Sequence, residues 1–263
     1  MCWVSFPGPH EPWDAPEPYA SMYDPQDMPA PVPRIQGGSR DGLVGRSVRD
    51  AEQRPALELG DVARMRANYA GNVSLIDDQV GEILAALRSR GEYERTMIVV
   101  TSDHGELNGD HGFIYKSNFL DASVRVPLII RPPGGTGPRR ISALVELMDV
   151  AATIADTAEP GATLGHARSL RDVLEGAEHH RDDVHGQFDG YVMHVDADWK
   201  AEITPQGKVS LLIDRQNDTH EQHNLVGLRT RRVQKRIAQH VQSFKASTPA
   251  PAVAPDLPDA ATS

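Results

Sequence analysis

The stretch Thr101-Ser102-Asp103-His104-Gly105-Glu106-Leu107-Asn108-Gly109-Asp110-His111-Gly112 directly follows the apolar run Thr96-Met97-Ile98-Val99-Val100-Thr101. In open α/β sheets ligands bind beyond the carboxyl ends of the strands, so Asp103 and His104 emerge where a site is expected. A carboxylate oxygen and an imidazole nitrogen at such a place suit a divalent cation, and the glycines let the backbone approach closely. The same residues also fit an Asp turn beside a hydrogen-bonded histidine. Twelve residues beyond His104, Lys116 follows Phe113-Ile114-Tyr115. Its ammonium can enter the same crevice as a point charge for a tetrahedral oxyanion, or stand as a solvated surface lysine. His111 reads either as a partner to the metal ligands or as a plain loop residue.

Other candidates separate on spacing. In His220-Glu221-Gln222-His223 the histidines are three apart, one residue too few for the H-E-x-x-H zinc-protease helix, and the group reads as structural. His179-His180 lies in a polar loop before Arg181-Asp182-Asp183 and reads as solvated. Ser102 and Ser117 have no base partner in the pattern, so neither is a candidate nucleophile. Cys2, the single cysteine, excludes an internal disulfide and a thiolate zinc site and reads as a small core residue.

These residues belong to a chain of 263 residues that is 39% apolar, enough for a sizeable core in one large domain or two modest ones. Lys and Arg number 27 against 37 Asp and Glu, a net charge of −10. No global basic field draws in a nucleic-acid backbone or an anionic membrane, so an anionic substrate must be held by a local cluster. No apolar run reaches about 18 residues and no signal-peptide order opens the chain. A cytoplasmic setting is expected.

The positioning elements follow from periodicity. Residues 1–6 read as a strand, and residues 7–59 as a long Pro- and Gly-rich stretch with short helical turns, of which 14–59 is a surface excursion without readable chemistry. Apolar residues at steps of three and four from Val62 to Leu87 predict a long helix with Asp61 as N-cap and Gly91 just past its end. The run 96–101 predicts a strand buried on both faces of a parallel sheet, and 126–130 and 143–147 predict two more. Asp149 is the expected cap of a helix over 150–158, ended by Pro160-Gly161. Short strands follow at 191–195, 199–203 and 209–213, the last two joined by the turn Thr204-Pro205-Gln206-Gly207-Lys208. A basic amphipathic helix over 229–244 comes next, and 246–263 reads as a disordered tail. The division expected is 1–178 as the α/β part, 179–245 as a C-terminal subdomain and 246–263 as the tail.

Four segments together resemble the sulfatase family of the alkaline-phosphatase-like superfamily. Val4-Ser5-Phe6-Pro7-Gly8-Pro9-His10-Glu11-Pro12-Trp13-Asp14-Ala15-Pro16 is similar to the family segment whose Pro-His pair reaches the sulfate. The Asp-His-Gly segment at 103–105, followed by Gly-Asp-His-Gly and Lys116, resembles the metal motif of the branch holding choline-sulfatase-like enzymes and phosphonate or phosphodiester hydrolases. Asp121-Ala122-Ser123-Val124-Arg125-Val126-Pro127-Leu128-Ile129-Ile130 is similar to the G-x-x-R-V-P-L strand. Leu212-Ile213-Asp214-Arg215-Gln216-Asn217-Asp218-Thr219-His220-Glu221-Gln222-His223-Asn224-Leu225 is similar to the closing L-Y-D-L-x-x-D-P-x-E-x-x-N-L signature.

The resemblance implies an α/β fold with a mostly parallel sheet flanked by helices and a small C-terminal antiparallel α+β subdomain. It implies that Asp103 and His104 are metal ligands, for Ca²⁺ or for Mn²⁺ or Mg²⁺, and that Lys116 and His10 contact the sulfate and its leaving oxygen. The implied reaction is hydrolysis of a sulfate ester of a small molecule; a phosphodiester or phosphonate monoester hydrolase and a non-catalytic remnant are the alternatives. Two family features are not in this sequence: the N-terminal Asp-Asp pair, for which Asp77-Asp78 and Asp182-Asp183 are poor substitutes, and the C-x-P-S-R motif whose cysteine becomes the formylglycine nucleophile. The expectation is therefore an N-terminally truncated member, inactive by itself, with an apolar sheet edge and an uncovered helix face, and oligomerisation is possible.

Overall fold

The structure is a computed structural model describing residues 1–37, 40–228 and 230–247. Residues 1–6, expected as a strand, are irregular, because no other described segment pairs with them, and Cys2 is exposed rather than packed in a core. After two single 3₁₀ turns, Tyr19–Ser21 and Pro25–Asp27, helix α1 spans Leu43–Glu52, a regular helix where only short turns were expected. Helix α2 spans Leu59–Ser89. Its N-cap is Glu58, and Asp61 lies inside the first turn, where its charge suits the positive end of the helix dipole. Gly91, with φ +66°, follows the last turn as expected.

Strand β1 spans Ile98–Thr101, the short helix α3 Asp121–Val124 and strand β2 Leu128–Arg131. β1 and β2 pair antiparallel, Ile98 opposite Arg131 and Thr101 opposite Leu128, and β1 is half-buried rather than enclosed on both faces. Residues 143–146 form no strand and lead into helix α4, Leu147–Ala158. The cap there is Glu146; Asp149 sits three residues inside and returns the bond in a reciprocal capping box. Helix α5 spans Arg171–Glu175.

The C-terminal sheet has the order β3–β4–β5–β6, built from Asp183–Phe188, Tyr191–Asp196, Trp199–Ile203 and Val209–Asp214, all antiparallel. Helix α6, Arg231–Ser247, covers one face through Val233, which packs with Trp199, Ile203 and Leu212. The reading of 246–263 as a tail lies, from residue 248 onward, outside the described residues. No described helix is long and apolar enough to cross a membrane.

One apolar cluster ties this sheet to the loop region: Val44 of α1, Leu107 and Phe113 of the loop after β1, Leu120, and Leu211 and Ile213 of β6 are all buried together. Under it, Lys200 of β5, 1% exposed, donates to the Phe119 carbonyl at 3.1 Å and pairs with Asp121 and with Glu221 Oε1 at 2.5 Å. Elsewhere apolar side chains face solvent, among them Val73 and Ile83 on α2, Ile129 on β2 and Met148 on α4.

Candidate functional site

Asp103 and His104 leave the carboxyl end of β1, which Thr101 fastens by donating its hydroxyl to the Pro127 carbonyl at 2.9 Å. Ser102 donates to the His104 carbonyl at 2.7 Å, and the His104 amide donates to Asp103 Oδ1 at 2.9 Å, so the turn holds itself. Gly105 follows because its amide donates to the Ser123 carbonyl at 2.8 Å with the chains nearly touching. A Cβ there would lie 2.0 Å from the Ala122 oxygen. Gly109, at φ +94°, is required for two reasons: the left-handed backbone and a Cβ position 2.5 Å from Val62 of α2.

The loop returns on itself through Leu107 N to Tyr115 O at 3.0 Å and Gly109 N to Phe113 O at 2.8 Å. Glu106 Oε1 accepts from the amides of Asn108 at 3.0 Å and Tyr115 at 2.5 Å, holding both ends of the loop. Arg66, projecting from α2 and mostly buried, donates to the Asn108 carbonyl at 3.0 Å and to Asp110 Oδ1 at 2.6 Å. Neither Glu106 nor Arg66 stands out in the sequence, since each acts through partners that only the fold brings near.

The segment carrying His10 reaches the same place from the opposite direction. Tyr19 donates its hydroxyl to Asp78 Oδ2 at 2.6 Å, and the Tyr23 and Ser74 hydroxyls are 2.7 Å apart, fixing the segment along α2. Trp13 stacks on Tyr115, ring centroids 6.5 Å apart, so the segment and the Lys116 loop meet directly. Lys116 Nζ is 2.5 Å from His10 Nε2, and the His10 and His104 rings are 6.1 Å apart, edge to face. His10, remote in sequence, thus shares one open surface with Asp103, His104 and Lys116; Asp103 is 85% exposed.

Hydrogen bonds assign the imidazole protons. His104 Nδ1 lies 2.9 Å from the Gly105 carbonyl, which can only accept, so Nδ1 carries the proton and Nε2 presents a lone pair. That Nε2 is 3.7 Å from Asp103 Oδ2. A carbonyl-anchored imidazole beside a carboxylate is the arrangement in which histidine ligates metals, and the pair fits as part of a divalent-cation shell. His10 follows the same logic: Nδ1 donates to the Glu11 carbonyl at 3.0 Å, leaving Nε2 to accept from the Lys116 ammonium.

The other candidates lie elsewhere. His111 is buried at φ +57° against Phe113, 6.3 Å between rings, and burial pushes its imidazole below the ordinary value, keeping it neutral. His180, expected to be solvated, is buried with Nε2 3.1 Å from Asp149 Oδ2, while His179 is exposed. In the closing segment Glu221 is buried against Lys200, and Asn224 Oδ1 accepts from the Leu212 and Val226 amides, both at 3.1 Å. That segment is structural. Asp77-Asp78 lies within α2, as expected.

A family model described as sulfatase matches residues 1–160. The chain is 32% identical over 196 residues to an arylsulfatase of Clostridium perfringens (strain 13 / Type A), covering 70% of this chain and 39% of that protein. It is 32% identical over 171 residues to a choline-sulfatase of Rhizobium meliloti (strain 1021), covering 64% and 33% respectively. The solved structure of phosphonate monoester hydrolase SpPMH from Silicibacter pomeroyi aligns with a TM-score of 0.78 at 26% identity, over 90% of this chain and 53% of that one. The chain thus spans between a third and two-fifths of these curated relatives' length.

Proposed function

The chain belongs to the sulfatase family, and from that premise we propose that its surface around His10, Asp103, His104 and Lys116 binds the sulfate group of a small sulfate ester for hydrolysis. The observation that carries the reading is the convergence of Lys116 Nζ on His10 Nε2 at 2.5 Å beside the His104 ring. Lys116 places a compact positive charge against the transferred group. His10 keeps its Nδ1 proton on the Glu11 carbonyl; once the anion draws the ammonium away, Nε2 takes up a proton from solvent, and the imidazolium so formed donates it to the leaving oxygen. Asp103 Oδ2 and His104 Nε2 would hold a divalent cation, Mn²⁺ in preference to Mg²⁺ or Ca²⁺, because one donor is an imidazole and the latter two favour oxygen shells. Such a cation, when bound, supplies charge compensation at the transferred group. Trp13 and Tyr115 wall one side and keep the Lys116 loop seated.

A second reading is hydrolysis of a phosphonate monoester. It is favoured by the alignment of 90% of this chain with the phosphonate monoester hydrolase at a TM-score of 0.78. Both readings use the same four residues.

No formylglycine-type cysteine motif occurs within these 263 residues, so this chain by itself binds such esters without turning them over. The test is titration with 4-nitrophenyl sulfate and with phenyl 4-nitrophenylphosphonate, with and without Mn²⁺, alongside a turnover assay. Tighter binding of the sulfate ester with Mn²⁺, lost in Lys116→Ala, supports the first reading. A preference for the phosphonate above about tenfold, or ~1.4 kcal/mol, selects the second. Robust metal-dependent turnover abolished by Asp103→Asn would show that a nucleophile resides in this chain and would overturn the binding-only proposal.

A further inference from the structure

A second group of ligand-type side chains lies on the C-terminal sheet. Asp183 and His185 are two apart on β3 and therefore face the same side, and His194 on β4 is the direct cross-strand partner of His185. One ligand atom from each of the three lies within 4.8 Å of the other two. Among the described residues no other group of three or more His, Cys, Asp or Glu side chains converges in this way. We propose that Asp183, His185 and His194 form a binding site for a late first-row divalent cation of the Zn²⁺ type.

The donor chemistry selects that class. Two imidazoles and one carboxylate suit Zn²⁺ and its neighbours, whereas Mg²⁺ and Ca²⁺ favour oxygen shells. The carboxylate already reaches a nitrogen of each ring: Asp183 Oδ2 is 3.2 Å from His194 Nε2, and Oδ1 is 3.9 Å from His185 Nδ1. Tetrahedral ligands around Zn²⁺ stand about 3.3 Å apart, so small side-chain rotations close the set. The two imidazole rings are 4.7 Å apart.

A buried histidine on α6 provides the second, independent observation. His240 is 1% exposed, its Nδ1 is 2.5 Å from His194 Nδ1, and its Nε2 has no hydrogen-bond partner. The two facing Nδ1 atoms must share one proton. If His240 donates it, His194 bears its own proton on Nε2 toward Asp183. If His194 donates it, Nε2 becomes a bare lone pair facing a carboxylate, which a cation between them resolves. Each ring keeps one proton in both arrangements, so the cation requires a tautomer exchange and no net proton loss. His240 then orients His194 as an outer partner orients a metal ligand.

Asp196 and Arg236, the charged groups that act on His240, pair with each other at 3.6 Å, and the charged neighbours of His185 have partners as well. Glu146 Oε1 accepts from the His185 amide at 2.9 Å, and Arg181 is held by Asp149. Burial lowers both the His185 and His240 imidazoles, the latter to about 4, so they are neutral at pH 7. Asp183 and His185 are partly exposed on the edge strand, which leaves the site an entry from solvent. A cation here would pin β3, β4 and, through His240, α6 into one unit.

The test is calorimetric titration of the metal-stripped, tag-free chain with ZnCl₂ at neutral pH. An Asp103→Asn/His104→Gln background removes the other candidate ligands. One Zn²⁺ site in that background, weakened at least about tenfold by His185→Gln and by Asp183→Asn, is expected, with a melting temperature raised by Zn²⁺ and not by equimolar Mg²⁺. Both substitutions fall at partly exposed positions of an edge strand, and circular dichroism verifies that each variant folds. Absence of Zn²⁺ binding in the background, or binding unchanged in the two further variants, overturns the proposal.

Discussion

Lys116 Nζ stands 2.5 Å from His10 Nε2, joining side chains 106 positions apart. An ammonium so close to an imidazole lone pair has its charge only partly satisfied, since the second partner is neutral, and an entering oxyanion completes it. Removing either side chain therefore weakens anion binding. Lys116→Ala and His10→Ala each raise the Kd for inorganic sulfate about tenfold, ~1.4 kcal/mol. Because the two act as a unit, the double variant loses less than the sum of the singles. Isothermal titration across the four proteins measures both effects, and strict additivity would separate the two roles.

Two glycines, one at the site and one on α2, make predictions of opposite sign. Gly105→Ala drives a Cβ to 2.0 Å from the Ala122 oxygen, a backbone atom that cannot rotate away. The expected loss is about 1–3 kcal/mol in urea denaturation, with weaker divalent-cation binding as the Asp103 turn shifts. Gly81→Ala, mid-helix in α2 with nothing within 4 Å of the new methyl, raises stability by about 0.5–1 kcal/mol.

Some of this organisation is written in the sequence and some is not. The apolar steps of α2 and the short apolar runs of β4 to β6 were legible from local pattern, although β5 and β6 are buried at every position and α2 leaves Val73 and Ile83 exposed. β3 was not, since Asp183-Val184-His185-Gly186-Gln187-Phe188 is an edge strand whose polar residues carry the histidine cluster instead of a regular apolar face. Residues 1–6 have strand composition but no described partner, and pairing is not a local property. Asp103, His104 and Lys116 were marked as candidates by their place after β1, whereas His10 entered through family resemblance alone. What no spacing reveals is that Trp13 and Tyr115 stack to bring His10 and Lys116 together.

Asp149 shows how a correct reading of a residue's neighbourhood can miss its task. It lies in the first turn of α4, where it returns the capping bond to the Glu146 amide at 3.0 Å, but it also accepts from Arg181 Nε at 2.9 Å and from the Arg168 amide at 2.8 Å while fully buried. Burial alone would raise its carboxyl, yet the hydrogen bonds from Arg181 and these amides lower it from 3.8 to about 2. A depressed carboxyl contributes stability that is present above its ordinary value and lost as pH falls through the folded one. The shift corresponds to about 2 kcal/mol. Asp149→Asn therefore costs at least about 2 kcal/mol at neutral pH, more if Arg181 is left unpaired. The difference from the parent shrinks between pH 4 and pH 2 in acid denaturation.

Lys200 carries the largest expected effect on stability. It is 1% exposed, and its ammonium lies between Asp121 and Glu221, whose carboxylate also accepts from the Asp121 amide at 2.6 Å. Burial raises Glu221, while for Asp121 the desolvation is outweighed by the Lys200 charge, which holds that carboxyl low. Lys200→Met keeps the length and apolar stem but leaves the buried Glu221 and the half-buried Asp121 carboxyls without their shared cation, at a cost of about 3–5 kcal/mol. Here the titrating carboxyl is shifted up rather than down as at Asp149, although the deficit of both variants narrows on acidification. With the cation gone, Glu221 moves further up, so the folded state gains relative stability as pH falls from 7 toward 5 and the carboxyl takes a proton. Urea denaturation of the variant at both pH values should show the deficit narrowing on acidification. A deficit that is the same at both would mean that Glu221 stays ionised without Lys200, with another group balancing its charge.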